Sequence, residues 1–481
     1  MDEKDVPKTT RIFRTRFVDL TKNEGTNKAI EKSRLVVQAF NDQGKQNILT
    51  QAPTIQRASQ RLILAIAPSI TNANVYLRDI SQAYTQSTTA MLRNIYVRAP
   101  TEMELPPNKI LRVARPLYGI PEAGTHWFQT YHTHHIQKLR MAQSTYDTCF
   151  LFSNDKENGF GLIGLQTDDT LILADTKFAA RENTELEKAG FLSKPCERLT
   201  KSHPLKFNGA VIELHGESIT INQPQQIKRI QPVTINTPTS KEQYITQRAR
   251  GAYIASVCQP EMAFGLSFAA QQSTNPTDND TNLLNRCLSW QIRNSTRGLK
   301  FIPLDLDTLK IVAFTDSSFA NNQDFSSQIG FVIALTDVNN NANIIHWTSV
   351  KSRRVTRSVL ASELYAMSLG FDAATTIKAT LDQILSKRRT TPIPLTIFTD
   401  SKSLYDCLIK LGTTNEKRLM IDLMCLRQSY QRREITEVVW IKGEENAADA
   451  MTKEKCCNAL KNMVDTNKLM TTTNGWVERA I

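Results

Sequence analysis

The spacing of apolar and polar residues changes several times along this chain, and each change predicts a new element. Residues 11–40 alternate apolar with basic side chains around Asn23-Glu-Gly-Thr-Asn27. That pattern predicts a basic hairpin whose second strand carries Lys32-Ser-Arg34-Leu-Val-Val-Gln38. Leu62, Ile63, Leu64 and Ile66 predict a helix over 56–69, and a strand follows over 74–80. Arg115-Pro-Leu-Tyr-Gly-Ile-Pro-Glu-Ala-Gly124 is rich in turn formers, and a helix is expected from His126 to about Leu139. Two short apolar runs, 161–165 and 171–174, flank Gln166-Thr-Asp-Asp-Thr170 and predict two strands joined by a tight turn. A helix near 176–189 and a hairpin over 205–222 come next. Residues 231–245 are rich in Thr, Pro and Ser and suit a linker, and 241–295 reads as helical. After Leu299 the order becomes strand, strand, strand, helix, strand, helix, strand, which places the boundary of a second αβ unit near 300–308.

Two groups of acids stand at the ends of these elements. Asp79 ends one strand, while Asp168 and Asp169 sit at the tip of a hairpin about ninety residues later. Paired carboxylates at a hairpin tip repel each other and gain from a shared cation, for which a hard divalent ion is the natural partner. An Asp-Asp pair alone is also what a solvated turn looks like. An additional strand-end aspartate fits nucleotidyl transfer, in which two ions ~3.5–4 Å apart stabilise the attacking and leaving oxygens. In the second unit Asp316 follows a strand, Glu363 lies on the helix from about Ser358 to Leu385, Asp400 follows a strand, and Asp449 stands at an expected helix start. Any one of these acids reads as a surface charge, but their joint placement points to a shared site. Lys351-Ser-Arg-Arg-Val-Thr-Arg357, just before the Glu363 helix, suits phosphate contact or a solvated edge. His132 and His135 are three apart on a helix, yet no third ligand at a suitable spacing supports zinc.

Composition narrows the field. A length of 481 residues allows two to four cores at ~150 residues each. The formal charge of +12 favours a polyanionic partner, nucleic acid first. Eight scattered cysteines without Cys-x-x-Cys suggest free, buried thiols in a reducing compartment. No apolar run is long enough for a membrane span, and the acidic start is not a secretory signal.

Five blocks in order carry a family resemblance: Lys32-Ser-Arg-Leu-Val36, Asp79-Ile-Ser-Gln-Ala-Tyr84, Pro116-Leu-Tyr-Gly-Ile-Pro-Glu-Ala-Gly124 with Trp127, Gln166-Thr-Asp-Asp169, and Phe207-Asn-Gly209. With them the chain, from about residue 11 to 453, resembles the reverse transcriptase–RNase H region of a copia-like LTR retrotransposon polyprotein. The resemblance implies an α+β polymerase right hand (fingers, palm, thumb) followed by an α/β RNase H-like domain with a mixed sheet. Its divisions would be 1–230 for the hand, 231–305 for a connection, 306–455 for RNase H and 456–481 for a tail.

By the same resemblance Asp79 and Asp168 would bind two metals with Asp169 in support, and Asp316, Glu363, Asp400 and Asp449 would bind two more. The ion would be Mg²⁺, with Mn²⁺ as the alternative. Tyr84 resembles the steric gate against a ribose 2′-hydroxyl, Lys32 and Arg34 resemble contacts to the incoming triphosphate, and Phe207 with Gly209 resembles a primer grip. Glu122 stands where related enzymes often carry glutamine, near template and dNTP. Gln166-Thr167 replaces the usual aromatic-plus-apolar pair before Asp-Asp, and no histidine follows His346, where many RNases H have one before the last aspartate.

The implied partners are an RNA template, a DNA primer, the RNA–DNA hybrid and dNTPs, with no membrane and oligomeric state left open. The implied location is a cytoplasmic particle, the nucleus being the alternative. A shortened fingers region before Arg11 and the lack of capsid, protease or integrase segments keep a second reading open: an inactive relic that only binds nucleic acid. Retention of all seven carboxylates weighs against it.

Overall fold

A computed structural model describes residues 1–472 apart from Thr9, 23–24, 26–28, Lys156, 411–413 and 415. Most of the expected turn at 23–27 therefore lies outside the described residues. The chain divides into two compact units. One comprises Met1–Ile55 and Leu77–Cys196, the other Gln56–Tyr76 and residue 197 onward.

In the first unit the basic hairpin forms as expected. Ile12–Lys22 and Ile30–Val37 run antiparallel with Val18 opposite Arg34 and Leu20 opposite Lys32. Tyr96–Arg98 and Leu111–Arg112 complete this four-stranded sheet. A larger sheet runs in the order Ala142–Gln143, Phe150–Asp155, Gly159–Gln166, Asp169–Asp175, then the strand Ala73–Asp79, whose last residues belong to this unit. Leu162, Ile163, Leu165, Leu171, Ile172 and Leu173 are all buried. A continuous apolar run of this kind needs cover on both faces of the sheet. The helix Thr176–Lys188 gives one part of that cover: a Cβ on Gly161 would lie 2.4 Å from the Phe178 ring, so glycine is what lets helix and strand meet. The helix Ala123–Gln137 joins Tyr131 to Thr170 through their hydroxyls at 3.2 Å.

In the second unit the helix Arg57–Ile66 is buried at every position from Ala58 to Ile66. Arg61 is included. Its guanidinium donates to the carbonyls of Ile345 (2.7 Å), Ser256 (2.7 Å) and Val257 (3.1 Å) and lies 3.9 Å from the Trp347 ring centroid. Leu205–Phe207, Ala210–His215, Ser218–Asn222 and Leu299–Phe301 make a four-stranded sheet. The helical stretch resolves into three helices, Ser240–Val257, Ala263–Gln271 and Asp278–Arg293, the last begun by a Thr277/Asp280 capping box.

A five-stranded mixed sheet follows, ordered Ala342–Lys351, Gln328–Thr336, Lys310–Ser318, Leu395–Thr399, Glu437–Trp440. Its first three strands are antiparallel and the last two parallel. The long helix Val359–Leu385 packs on it, and Gly370 permits close approach, since a Cβ there would lie 2.7 Å from Thr315 Cγ2. Residues after 455 add a helix, Ala459–Thr466, with Leu460 and Met463 buried. No helix among the described residues is long and apolar enough to cross a membrane. All eight cysteines are free; Cys149, Cys258 and Cys407 are buried, whereas Cys425 and Cys456 are exposed.

Candidate active sites

The first constellation forms where two neighbouring strands end. Ile80 N–H donates to the Asp168 carbonyl at 2.8 Å, which sets Asp79 beside the hairpin tip. That tip is a two-residue turn, with Gln166 paired to Asp169 and Thr167 held at φ +53°. A left-handed backbone is uncommon for a β-branched residue. The Trp127 indole donates to the Thr167 carbonyl at 2.7 Å and fixes the turn from the helix below. Asp168 is exposed and Asp169 half-buried.

Aromatic and cationic groups approach the same tip. Tyr84 and Tyr118 have ring centroids 4.9 Å apart, and the Arg34 guanidinium lies 5.2 Å from the Tyr118 ring. Tyr118 reaches this position because its loop crosses the basic hairpin: Val37 N–H donates to its carbonyl at 2.8 Å. Gly119, at φ +88°, passes so close that a Cβ would sit 2.0 Å from the Val37 oxygen. Burial, and secondarily the negative charge of Asp168, raises the Tyr84 hydroxyl above its ordinary range. Lys32 is exposed on the outer part of the hairpin.

Two expected substrate contacts sit elsewhere than their sequence positions suggest. Glu122 is buried, and both its oxygens accept from Arg93, at 2.7 and 2.9 Å, while Arg93 also pairs with Asp42. Its carboxylate is taken up by Arg93 rather than left open to a substrate. Phe207 is fully buried in the sheet that follows the palm sequence. Gly209 permits a close approach of a side chain: a Cβ would lie 2.7 Å from the Tyr253 hydroxyl, which itself donates to the Asn208 carbonyl at 2.6 Å. His132 and His135 turn to different partners. His132 Nε2 contacts Gln143 at 2.8 Å, whereas His135 is buried with Nδ1 on the Tyr131 carbonyl.

The second constellation is tighter. Parallel register pairs Phe314 with Phe398, so Asp316 and Asp400, two residues on, leave the sheet side by side. Asp316 faces Gly330 on the antiparallel neighbour, and a Cβ on Gly330 would lie 2.3 Å from Met451. That glycine lets the 3-10 turn Ala447–Met451 bring Asp449 down over the strand, where Asn446 Nδ2 donates to the Thr315 carbonyl at 3.0 Å. Gly370 brings the long helix, and so Glu363, against the same strand. Asp316, Glu363 and Asp400 each present an oxygen within 4.8 Å of the others. Among the described residues Asp79, Asp168 and Asp169 make no such group, and Asp449 is not a member of the one formed here.

Burial and mutual repulsion mark this cluster. Burial first, then Asp400, pushes the Asp316 carboxyl up to about 7, against the pull of Lys453 and Thr452. Burial, then Asp316, holds Glu363 well above the carboxylate range, and burial raises Asp400. Glu363 Oε1 lies 2.8 Å from the Ser317 hydroxyl, but its buried Oε2 has no hydrogen-bond partner. An all-oxygen donor set with one orphaned carboxylate oxygen fits a hard divalent cation and not zinc.

Two lysines escaped the sequence reading. Lys194 pairs through its ammonium with Asp79 and through its backbone N–H with the Asp79 carbonyl. Lys453 pairs with Asp449 and lies 3.6 Å from Asp316 Oδ2. Lys194 carried no local signal. Lys453 did, standing one helical turn after Asp449.

Residues 2–229 match the reverse transcriptase (RNA-dependent DNA polymerase) family. The chain is 23% identical over 526 residues to the transposon Ty1-DR5 Gag-Pol polyprotein of Saccharomyces cerevisiae (strain ATCC 204508 / S288c), covering 99% of this chain and 27% of that one. The Ty1-GR3 Gag-Pol polyprotein of the same strain is 22% identical over 519 residues with the same coverage. The chain thus spans about a quarter of the length of these relatives, 27%. A solved prototype foamy virus protease–reverse transcriptase overlaps 95% of this chain and 73% of its own, at 11% identity and a TM-score of 0.26.

Proposed function

We propose that the chain is a copia-like reverse transcriptase–RNase H, an RNA-directed DNA polymerase that also hydrolyses the RNA strand of RNA–DNA hybrids, a reading supported by the match of residues 2–229 to the reverse transcriptase family. The observation that supports this reading is that one chain holds both constellations, Asp79 beside the Asp168 tip and the Asp316–Glu363–Asp400 cluster. The product of the first is the substrate of the second. Its divisions are the hand (1–230), a connection (231–305), the RNase H-like domain (306–455) and a tail (456–481). Its partners are an RNA template, a DNA primer, their hybrid and dNTPs, and its setting is a cytoplasmic retrotransposon particle.

Two Mg²⁺ ions per site, or Mn²⁺, would neutralise the phosphate charge that develops during each reaction. The residues divide the remaining work. Asp79 and Asp168 present carboxylates from adjoining strand ends, and Asp169 braces the hairpin that carries Asp168. Arg34, seated on the Tyr118 ring, and Lys32 draw the triphosphate toward them. The Tyr84 ring, packed against Tyr118, narrows the space beside the sugar and excludes a 2′-hydroxyl. Phe207 anchors the hairpin that presents Asn208 and Gly209 to the primer. Glu122 acts indirectly, by holding Arg93. In the second site Asp316, Glu363 and Asp400 converge on one place. Ser317 and Thr452 orient two of these carboxylates, and Asp449 completes the set.

Extension of a DNA primer on an RNA template with Mg²⁺ tests the first activity, with Asp168→Asn as the comparison. Release of labelled RNA from a preformed hybrid tests the second, with Glu363→Gln. The wild-type chain should do both, and each variant should lose one. A folded wild-type chain that binds the hybrid but performs neither reaction would overturn the proposal in favour of a relic binder.

A further inference from the structure

Lys453 is the group in the second site that neither the family resemblance nor the sequence reading put to use. It stands four residues after Asp449, one helical turn on, and its ammonium reaches back to Asp449 Oδ1. The same nitrogen lies 3.6 Å from Asp316 Oδ2. Each of these carboxylates is further engaged. Thr452 donates its hydroxyl to Asp316 Oδ2, and Cys457 N–H donates to Asp449 Oδ2 at 2.7 Å. Glu363, by contrast, is not among the partners of Lys453 and its Oε2 has no hydrogen-bond partner at all, while Asp400 feels the charge of the ammonium without an ion-pair contact. The cluster therefore has two sides. One, at Glu363, carries a free oxygen and no ammonium contact; the other already holds a cation supplied by the chain.

Four ionised carboxylates cannot stay close and largely buried without positive charge, because burial penalises each charge and mutual repulsion adds to it. An ammonium and a divalent ion bound to the same oxygens also repel one another. We propose that Lys453 is a built-in counter-cation that holds Asp449 and Asp316 together in the metal-free protein and competes with divalent metal for those two carboxylates. On this view, which rests on the RNase H reading of the cluster, the ion served by Glu363 and Asp400 binds first. The ion that needs Asp449 binds weakly, because the ammonium must first swing aside. Lys453 is a positioning residue: it sets the metal concentration at which the site is complete.

The test is metal binding and stability of the full chain, without reference to catalysis. The background is Asp79→Asn/Asp168→Asn, so that only the second site titrates. Mn²⁺ is followed by calorimetry and by the spin-resonance signal of free Mn²⁺, and melting is recorded with chelator. Lys453→Gln should melt lower than its parent in chelator, and its weaker Mn²⁺ site should tighten by about tenfold, the scale on which groups around a metal centre tune affinity. Lys453→Arg keeps the charge and should hold the weaker site at or below the parent's affinity. This second variant decides the matter should the glutamine protein fail to fold. Unchanged or weakened Mn²⁺ binding in Lys453→Gln, unchanged melting in chelator, or a tightened site in Lys453→Arg would each overturn the role of Lys453. Absence of Mn²⁺ binding in parent and variants alike would overturn the metal centre itself, and the competition with it.

Discussion

Replacing Asp316 with asparagine should stabilise the metal-free protein above neutral pH while removing its capacity to hold divalent ions. Asp316 is 2% exposed, and burial followed by the charge of Asp400 pushes its carboxyl up to about 7. A carboxyl in an unfolded chain titrates near 3.9. Between those two values the folded protein binds more protons than the unfolded one, so stability falls as pH rises through that window and levels off above it. Three pH units at about 1.4 kcal/mol each put the loss on the order of 4 kcal/mol. Asparagine has no charge to bury and can still accept from Thr452. It gives Lys453 a weaker partner, at a cost of about 1 kcal/mol. The net gain at pH 8 should be about 1–3 kcal/mol, or a rise of several degrees in melting temperature. The assay is thermal unfolding in chelator from pH 5 to pH 9, repeated with Mn²⁺. The wild-type curve should fall between pH 5 and 7 and the variant curve should not. Mn²⁺ should raise the wild type and leave the variant unmoved. A variant that melts no higher than wild type at pH 8 in chelator would refute the reasoning, as would wild-type stability that climbs between pH 5 and 7.

Other substitutions probe other parts of the molecule. Arg78 and Glu182 form an ion pair buried at 2% and 1% exposure beneath Asp79; Arg78→Met alone should cost about 3–5 kcal/mol in urea unfolding, and Arg78→Met/Glu182→Leu should recover most of it. Gly119→Ala places a methyl 2.0 Å from the Val37 oxygen at φ +88°; it should destabilise by more than about 1 kcal/mol and raise KM for dNTP more than it lowers kcat, because Tyr118 loses its seat. Tyr84→Ala should increase ribonucleotide incorporation relative to deoxyribonucleotide while leaving RNA hydrolysis unchanged, measured with mixed nucleotide pools and a labelled hybrid.

What the sequence disclosed was what is local. Alternation set the basic hairpin, the apolar runs around Asp168 set the palm hairpin, and the strand and helix order after Leu299 set the mixed sheet. Each aspartate could be placed at an element's end because strand ends and turn residues are written in neighbouring positions, and Glu363 on its helix because the apolar spacing around it is helical. What stayed hidden depends on partners far along the chain. Glu122 looked like a substrate contact, but Arg93 and Asp42, which bury it, lie 29 and 80 residues before it. Phe207 looked like a grip residue, and only the sheet around it reveals that its ring is core. Arg61, a charge within an apolar run, would mark a solvent face in most helices. Here three carbonyls and the Trp347 ring satisfy it instead, so the helix is buried all round. Exposed lysines are alike in any sequence, which is why Lys194 gave so little away, whereas Lys453 was legible only through its spacing from Asp449.

Those two lysines bear on how the sites tolerate loss of metal. Each carboxylate constellation holds an ammonium of the chain's own, Lys194 at Asp79 and Lys453 at Asp449 and Asp316. Their surroundings differ. Asp79 is 32% exposed and Lys194 49%, so solvent screens both charges and the pair matters little to stability. Asp316, Glu363 and Asp449 are buried, and water does little to relieve their repulsion. Were both sites to hold ions as proposed, losing them would cost little at Asp79 and Asp168 and much at Asp316, Glu363 and Asp449. Hydrogen exchange with and without Mn²⁺ should show this. Protection should fall on chelation across Lys310–Ser318 and Val359–Leu385, the elements that carry Asp316 and Glu363. It should change little across Gly159–Asp175, where the exposed tip already sits in water. Equal loss of protection in both regions would mean that burial does not set the response, and that the two sites share one metal-dependent transition.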